Sequence, residues 1–306
     1  MIRSPGGKTA GPFVEGGLFM LAIIEEERKE RNGRAYPADE ATLIGQGGYV
    51  APDAYLWEDV LTAVVIRRPV LLKGPSGSGK TKLAESVSAF FSQPMHQVNC
   101  SVDLDAESLI GFKTIIRQDG DTVIDFVDGP VVTAMKEGHI LYIDEINMAK
   151  PETLPILHSV LDYRRMLTNP FTGEVIHAHP DFTVIAAINE GYVGTVPMNE
   201  ALKNRFIAFQ VPYLGQEQSK ALLEREFPDA PRTLITTMLN ISEDLKDQAK
   251  NGLLADEAAS IRSLIDAAEL ALHMGPERAV RYAIAEKLED PGERQLVMDL
   301  AATWIR

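Results

Sequence analysis

The run Gly74-Pro75-Ser76-Gly77-Ser78-Gly79-Lys80-Thr81 constrains this 306-residue chain more than any other feature. It has the spacing G-x-x-x-x-G-K-[S/T], follows an apolar run at 70–72 and opens a helical pattern at 80–91. A strand that turns through glycines into a helix aims its backbone N–H groups into the loop, and the helix start adds a positive dipole end. Such a segment is built to hold phosphate. Lys80 is expected to meet the β- and γ-phosphates, and Thr81 to ligate magnesium. The letters G-K-T recur at Gly7-Lys8-Thr9, but Ile2 stands where the first glycine must be and no strand precedes it, so this copy reads as tail.

A phosphate loop of this kind needs a sheet around it. Short apolar runs at 95–99, 140–144, 182–189 and 207–211 alternate with helical patterns at 131–137, 151–162 and 198–203, and a helix at 54–67 leads into the first strand. The alternation predicts an α/β core with a parallel sheet between helices. After Pro212 the strand signals cease. Helical patterns at 216–226, 232–249, 256–272, 276–287 and 291–303 predict a smaller all-helical domain. The chain therefore divides into a flexible Gly- and Pro-rich tail at 1–17, a core at 18–211 and a helical unit at 212–306. Residues 18–31 read as an amphipathic helix that Asn32-Gly33 can stop, packed on the core.

Ile140-Leu-Tyr-Ile-Asp144-Glu145 is an apolar strand ending in two acids. Downstream of a complete phosphate loop, Asp144 is placed to hold magnesium through water, and Glu145 to orient and polarise an attacking water. ATP and Mg2+ are the expected ligands, since no Asn-Lys-x-Asp guanine signal is present.

The bulk numbers exclude several other roles. A net charge of −14 opposes nonspecific attraction to nucleic acid and to anionic membranes. The single Cys100 rules out an intrachain disulfide framework and suits a reducing compartment, so a cytoplasmic location is expected. The apolar run 18–24 is too short to span a bilayer and is followed by Glu25, Glu26 and Glu27, and no signal peptide or anchor is visible. His177 and His179 lack a further His or Cys cluster, so no zinc site is expected there.

Arg68-Pro-Val-Leu-Leu-Lys-Gly-Pro-Ser-Gly-Ser-Gly-Lys-Thr81, Val127-Asp-Gly-Pro-Val131, Glu137-Gly-His-Ile-Leu-Tyr-Ile-Asp-Glu-Ile-Asn147 and Leu202-Lys-Asn-Arg-Phe206, taken in order, resemble the AAA+ ATPases of the MoxR group. Within it the chain is most similar to CbbQ, NorQ and GvpN and to dynein-type AAA domains, over about residues 49–211. The resemblance implies a P-loop AAA+ core with a helical lid, and a homo-oligomeric ring, usually a hexamer, with ATP at each subunit boundary. It places Asn189 at the sensor 1 position. It also makes Arg205 an arginine finger that reaches the neighbour's ATP. Arg262 is the choice for sensor 2, with Arg278 and Arg281 as competitors.

Two hairpins are expected. One joins β-branched runs around Asp119-Gly120; the other pairs 166–168 with 174–178 around 169–173. In the resembled group these positions are a pore-facing insert and a second insert before sensor 1; otherwise such hairpins extend the sheet or pack at subunit contacts. The likeness implies a remodeller of a protein client, acting with a von Willebrand factor A-domain protein or in cofactor insertion. A nucleic-acid-linked motor and a metal-chelatase subunit are the alternatives, the first disfavoured by the acidic balance. A small-molecule kinase would have no use for a sensor or an arginine finger.

Overall fold

The computed structural model describes residues 12–53, 55–100, 104–118, 121–190 and 197–305. Along the core run α1 (Pro12–Asn32), α2 (Ala38–Ala41), α3 (Leu56–Val65), β1 (Val70–Gly74), α4 (Lys80–Phe91), β2 (Met95–Asn99), α5 (Ala106–Ile110), β3 (Gly111–Gln118), β4 (Asp121–Asp128), α6 (Pro130–Glu137), β5 (Ile140–Asp144), α7 (Leu154–Leu161), β6 (Met166–Thr168), β7 (Val175–His177), β8 (Thr183–Asn189), α8 (Glu200–Lys203) and β9 (Ile207–Gln210). The lid consists of α9 (Gln216–Glu226), α10 (Arg232–Lys250), α11 (Ile261–Met274), α12 (Pro276–Ala283) and α13 (Pro291–Trp304).

Five strands form one sheet in the order β2-β5-β8-β1-β9, all pairs parallel. β1, β5 and β8 are nearly continuous in buried apolar residues, because helices cover both faces; the edge strand β9 alternates instead. One apolar cluster lies between the sheet and α6 and α7, around Leu141, Ile143, Leu157 and Ala186; another, around Val64, Leu72, Val87 and Tyr142, joins α3 and α4 to the opposite face. Each fully buried Leu or Ile contributes roughly 1.5–3 kcal/mol. The register aligns Gly74 with Asn189, and Asn99 with Asp144, so the chemistry-bearing ends of β1, β5 and β8 share one edge.

α1 packs on the core as expected: Ile24 is buried with α3 and α4, and the buried Arg31 donates to Gln93 Oε1 at 3.1 Å and stacks over Phe91. The helix starts at Pro12, inside the stretch read as tail; a proline suits a first helical turn, where its missing N–H costs nothing. The decoy at Gly7-Lys8-Thr9 lies outside the described residues. Both hairpins form, with Gln118 paired to Asp121 and Met166 to His177, and stand as separate two-stranded sheets rather than as extensions of the main one. The Asp119-Gly120 turn itself lies outside the described residues.

The lid has its own core, around Leu223, Met238, Leu239, Leu264, Ala268 and Val280. The continuous helix expected at 256–272 is divided. A 3-10 turn at Asp256–Ala259 ends at Ser260, whose side chain accepts from Ser263 N at 3.1 Å and starts α11 afresh. The pattern at 276–287 is divided likewise, α12 ending at Ala283 before a 3-10 turn at Ala285–Lys287. Among the described residues no helix is long and apolar enough to cross a membrane.

Candidate functional site

An opening lies where the core's strand ends meet the lid. Ser76, Gly77, Ser78, Gly79, Lys80 and Thr81 form its floor, Asp144, Glu145 and Asn189 one wall, and Arg225, Ile261, Arg262 and Ile265 of the lid the other, around about 510 Å³. Gly74 and Pro75 stand beneath this floor and supply carbonyls to it.

Local geometry explains the glycines. A Cβ on Gly74 would overlap the Val211 carbonyl oxygen, and one on Gly77, at φ +71°, would strike Ser260 of the lid. Gly79 then leads into α4. Lys80 is buried and donates from Nζ to the carbonyls of Gly74 at 3.0 Å and Pro75 at 2.7 Å. Burial pulls its pKa down to about 8, against the opposing pull of Asp144, Glu190 and Glu145. Among the described residues Ser78 Oγ is buried without a hydrogen-bond partner, and the loop is shaped for an anion.

Oxygen donors gather beside Lys80. Thr81 Oγ1 lies 3.1 Å from the Tyr142 hydroxyl. Burial raises the Asp144 pKa, with Glu145 adding to the rise and its backbone amide and Lys80 opposing it. A threonine hydroxyl and a carboxylate at the foot of a phosphate cradle fit a hard divalent cation that also takes phosphate oxygens and water. Away from this pocket, His177 is exposed and His179 braces the Asp181 amide at 3.1 Å; among the described residues no group of three or more His, Cys, Asp or Glu is placed to hold a metal.

Glu145 has φ 50°, a left-handed conformation that costs a non-glycine residue energy and recurs at functional sites. Asn189 Nδ2 donates to Glu145 Oε1 at 3.1 Å. Two residues assigned from separate strands are thus joined directly. Next to Asn189, burial would raise the Glu190 pKa, but bonds from Lys73 and Gln210 overcome it and leave it lowered.

Arg262 lines the pocket from the first turn of α11. Arg278 and Arg281 do not line it, and Arg281 faces Glu277 on its own helix at 3.6 Å. Arg205 lies elsewhere. It precedes β9, whose first residue pairs with Val70 at the start of β1, whereas the phosphate loop follows the end of β1. The length of the strand separates them, and Arg205 Nη1 donates to Ala201 O at 2.6 Å.

Sequence reasoning missed the residues that couple loop and lid. Tyr213 reaches Ser76 O at 3.2 Å and Asp256 O at 2.9 Å, and Ile261 N donates to Gly77 O at 3.2 Å. Arg225 donates to Gly48 O at 2.8 Å, clasping α9 to the segment before α3. The Tyr142 contact with Thr81 was equally unforeseen. Only the lid's contact with the loop gives these residues their significance.

Fold and pocket together define a nucleotide-binding α/β core of the AAA+ kind with a helical lid. Residues 69–206 match the AAA domain of the dynein-related subfamily, and residues 220–303 the CbbQ/NirQ/NorQ C-terminal domain. The uncharacterized protein YojN of Bacillus subtilis is 58% identical over 86% of this chain and 86% of its own. An uncharacterized protein of Staphylococcus epidermidis is 57% identical over 82% of this chain and 96% of its own. The solved RuvB branch-migration motor of Thermotoga maritima is 16% identical, with a TM-score of 0.46 over 78% of this chain and 71% of that one, too distant to bear on function. The chain belongs to the AAA+ ATPase family, in its dynein-related, CbbQ/NirQ/NorQ-type branch.

Proposed function

We propose that the chain hydrolyses ATP at a site completed by a second copy of itself, and that the cycle remodels a protein partner. The observation that carries this reading is the Asn189 to Glu145 hydrogen bond beside Lys80 and Asp144, with Arg205 displaced to the opposite end of the strands.

On binding ATP, Lys80 exchanges the Gly74 and Pro75 carbonyls for phosphate oxygens. Asn189 holds Glu145 through Oε1, leaving the other carboxylate oxygen to accept a proton from water. The water oxygen then attacks the γ-phosphorus as its bond to the ADP oxygen breaks. Magnesium held by Thr81 and Asp144 would neutralise charge on the phosphates. The neighbour's Arg205 would supply the remaining positive charge, so the working form is a ring, a hexamer by family likeness.

Remodelling is supported by the β3–β4 hairpin, which exposes Ile115 at 71% and Ile124 at 70% of their surface, a poor arrangement unless something apolar is gripped. A client protein is the proposed substrate, with a von Willebrand factor A-domain protein as the proposed adaptor. Glu145→Gln tests the chemistry: it should bind ATP as before, hold the assembled form and lose turnover by roughly 10²-fold or more. Full turnover in that variant contradicts the role of Glu145. Hydrolysis stimulated by nucleic acid and falling steeply with salt contradicts the protein client.

A further inference from the structure

A second cavity, of about 460 Å³, opens at the edge of the sheet opposite the nucleotide pocket. Arg67, Arg68, Arg165 and Arg205 line it, with one acid, Asp162. In a chain of net charge −14 that concentration of guanidinium needs a reason.

The four arginines are not equivalent. Arg165 is committed, donating to the carbonyls of His179 at 3.0 Å and Phe182 at 2.7 Å. Asp162 is committed to Arg164 at 2.8 Å. Arg67 and Arg68 are exposed and have no acidic partner among the described residues, and Arg205 bonds only a carbonyl of its own turn. Arg67 (φ 62°) and Arg165 (φ 51°) both hold left-handed backbone, where glycine would cost less. Arg67, Arg68 and Arg205 thus crowd like charge before the starts of two adjacent strands, a chemistry that suits a polyanion.

Resting on the reading of Arg205 given above, we propose that Arg67 and Arg68 also contact the triphosphate of ATP bound by a second copy of this chain, so that the neighbour presents a cluster of arginines rather than a single finger. The register supports this. Arg68 and Arg205 each lie two residues before a strand start, and those starts, Val70 and Ile207, are paired on adjacent strands. A phosphate chain that meets one lies beside the other. The planar guanidinium forks match phosphate oxygens, and no local carboxylate competes for Arg67 or Arg68.

The test is the variant carrying Arg67→Gly and Arg68→Gln in the full chain, assayed for ATP affinity and turnover, alone and mixed with Lys80→Ala subunits. Glycine suits the left-handed backbone of position 67, so the fold is kept; if the double variant loses its helical circular dichroism, Arg67→Gly alone carries the same test. The expected result is turnover lower by roughly tenfold, ATP affinity in the assembly lowered by a smaller factor, and recovery of both on mixing, because Lys80→Ala subunits bring intact arginines. Arg205→Ala mixed in the same way is the control. Wild-type turnover in the double variant overturns the proposal, including the case where a client or acidic peptide ceases to bind. Lowered turnover that mixing does not rescue, while Arg205→Ala is rescued, also overturns it, since the arginines then act within their own subunit. Failure to rescue either variant overturns the intersubunit reading itself.

Discussion

The two ends of the central sheet carry opposite kinds of polar chemistry. At the carboxyl ends of β1, β5 and β8 the groups satisfy one another: Lys80 on loop carbonyls, Asn189 on Glu145, Thr81 on Tyr142. At the amino ends, Arg67 and Arg68 have no acidic partner among the described residues, and the nearby Asp162 is taken by Arg164. A parallel sheet makes this division natural, because every strand delivers its loop and helix start to one edge and leaves its entry to the other. On the proposed reading the first end is a prepared half site. The second is surplus charge that a partner surface would complete.

The comparison breaks most visibly at Arg205. Arg205→Ala should lower turnover by roughly 10³-fold or more with little change in nucleotide affinity, measured as kcat against Kd. A loss of affinity with turnover preserved would move Arg205 into its own subunit's binding site.

A smaller effect comes from pH. Lys80 must be charged to hold phosphate, and burial has lowered its pKa to about 8, so ATP affinity should fall as pH rises through about 8, approaching roughly tenfold per unit. The nucleotide-free protein responds in the opposite sense. Its unfolded chain keeps the proton up to the ordinary lysine value of 10.5, so between about 8 and 10.5 the unfolded state binds more protons and folding stability rises with pH. ATP titrations and thermal melts over that range check both signs; flat affinity across it would mean that the loop leaves Lys80 better solvated than its burial indicates.

The smallest effect should come from the joint between lid and loop. Tyr213→Phe removes the hydroxyl that reaches Ser76 O and Asp256 O, at a cost of about 1 kcal/mol. In a domain-sized protein that lowers the melting temperature by about 2–4 °C. A fall in turnover as deep as that of Arg205→Ala would show the joint to be part of the chemistry.

Much of this was legible in the sequence where local signals agree. β2, β5 and α4 have the expected bounds because their apolar runs stop at glycine or polar residues. Asp144, Glu145 and the phosphate loop converge because each sits at a strand end in one parallel sheet. Contacts between distant segments were not legible. Ser260 reads as one polar residue in a helical pattern until its capping role and its approach to Gly77 are seen. Tyr213 and Arg225 look like surface residues until the lid folds onto the core. Arg67 and Arg68 read as ordinary solvated charges, since nothing local reveals that two other arginines, Arg165 and Arg205, share their cleft.

Complementation tests the central claim most directly. Arg205→Ala subunits bind ATP but offer no finger, and Lys80→Ala subunits offer a finger but cannot hold ATP; each alone should be nearly inactive. Mixed in equal amounts, they should regain turnover at the boundaries where an intact cradle faces an intact arginine. Turnover no greater than the sum of the separate variants, in assemblies shown to contain both, would contradict a site shared between subunits.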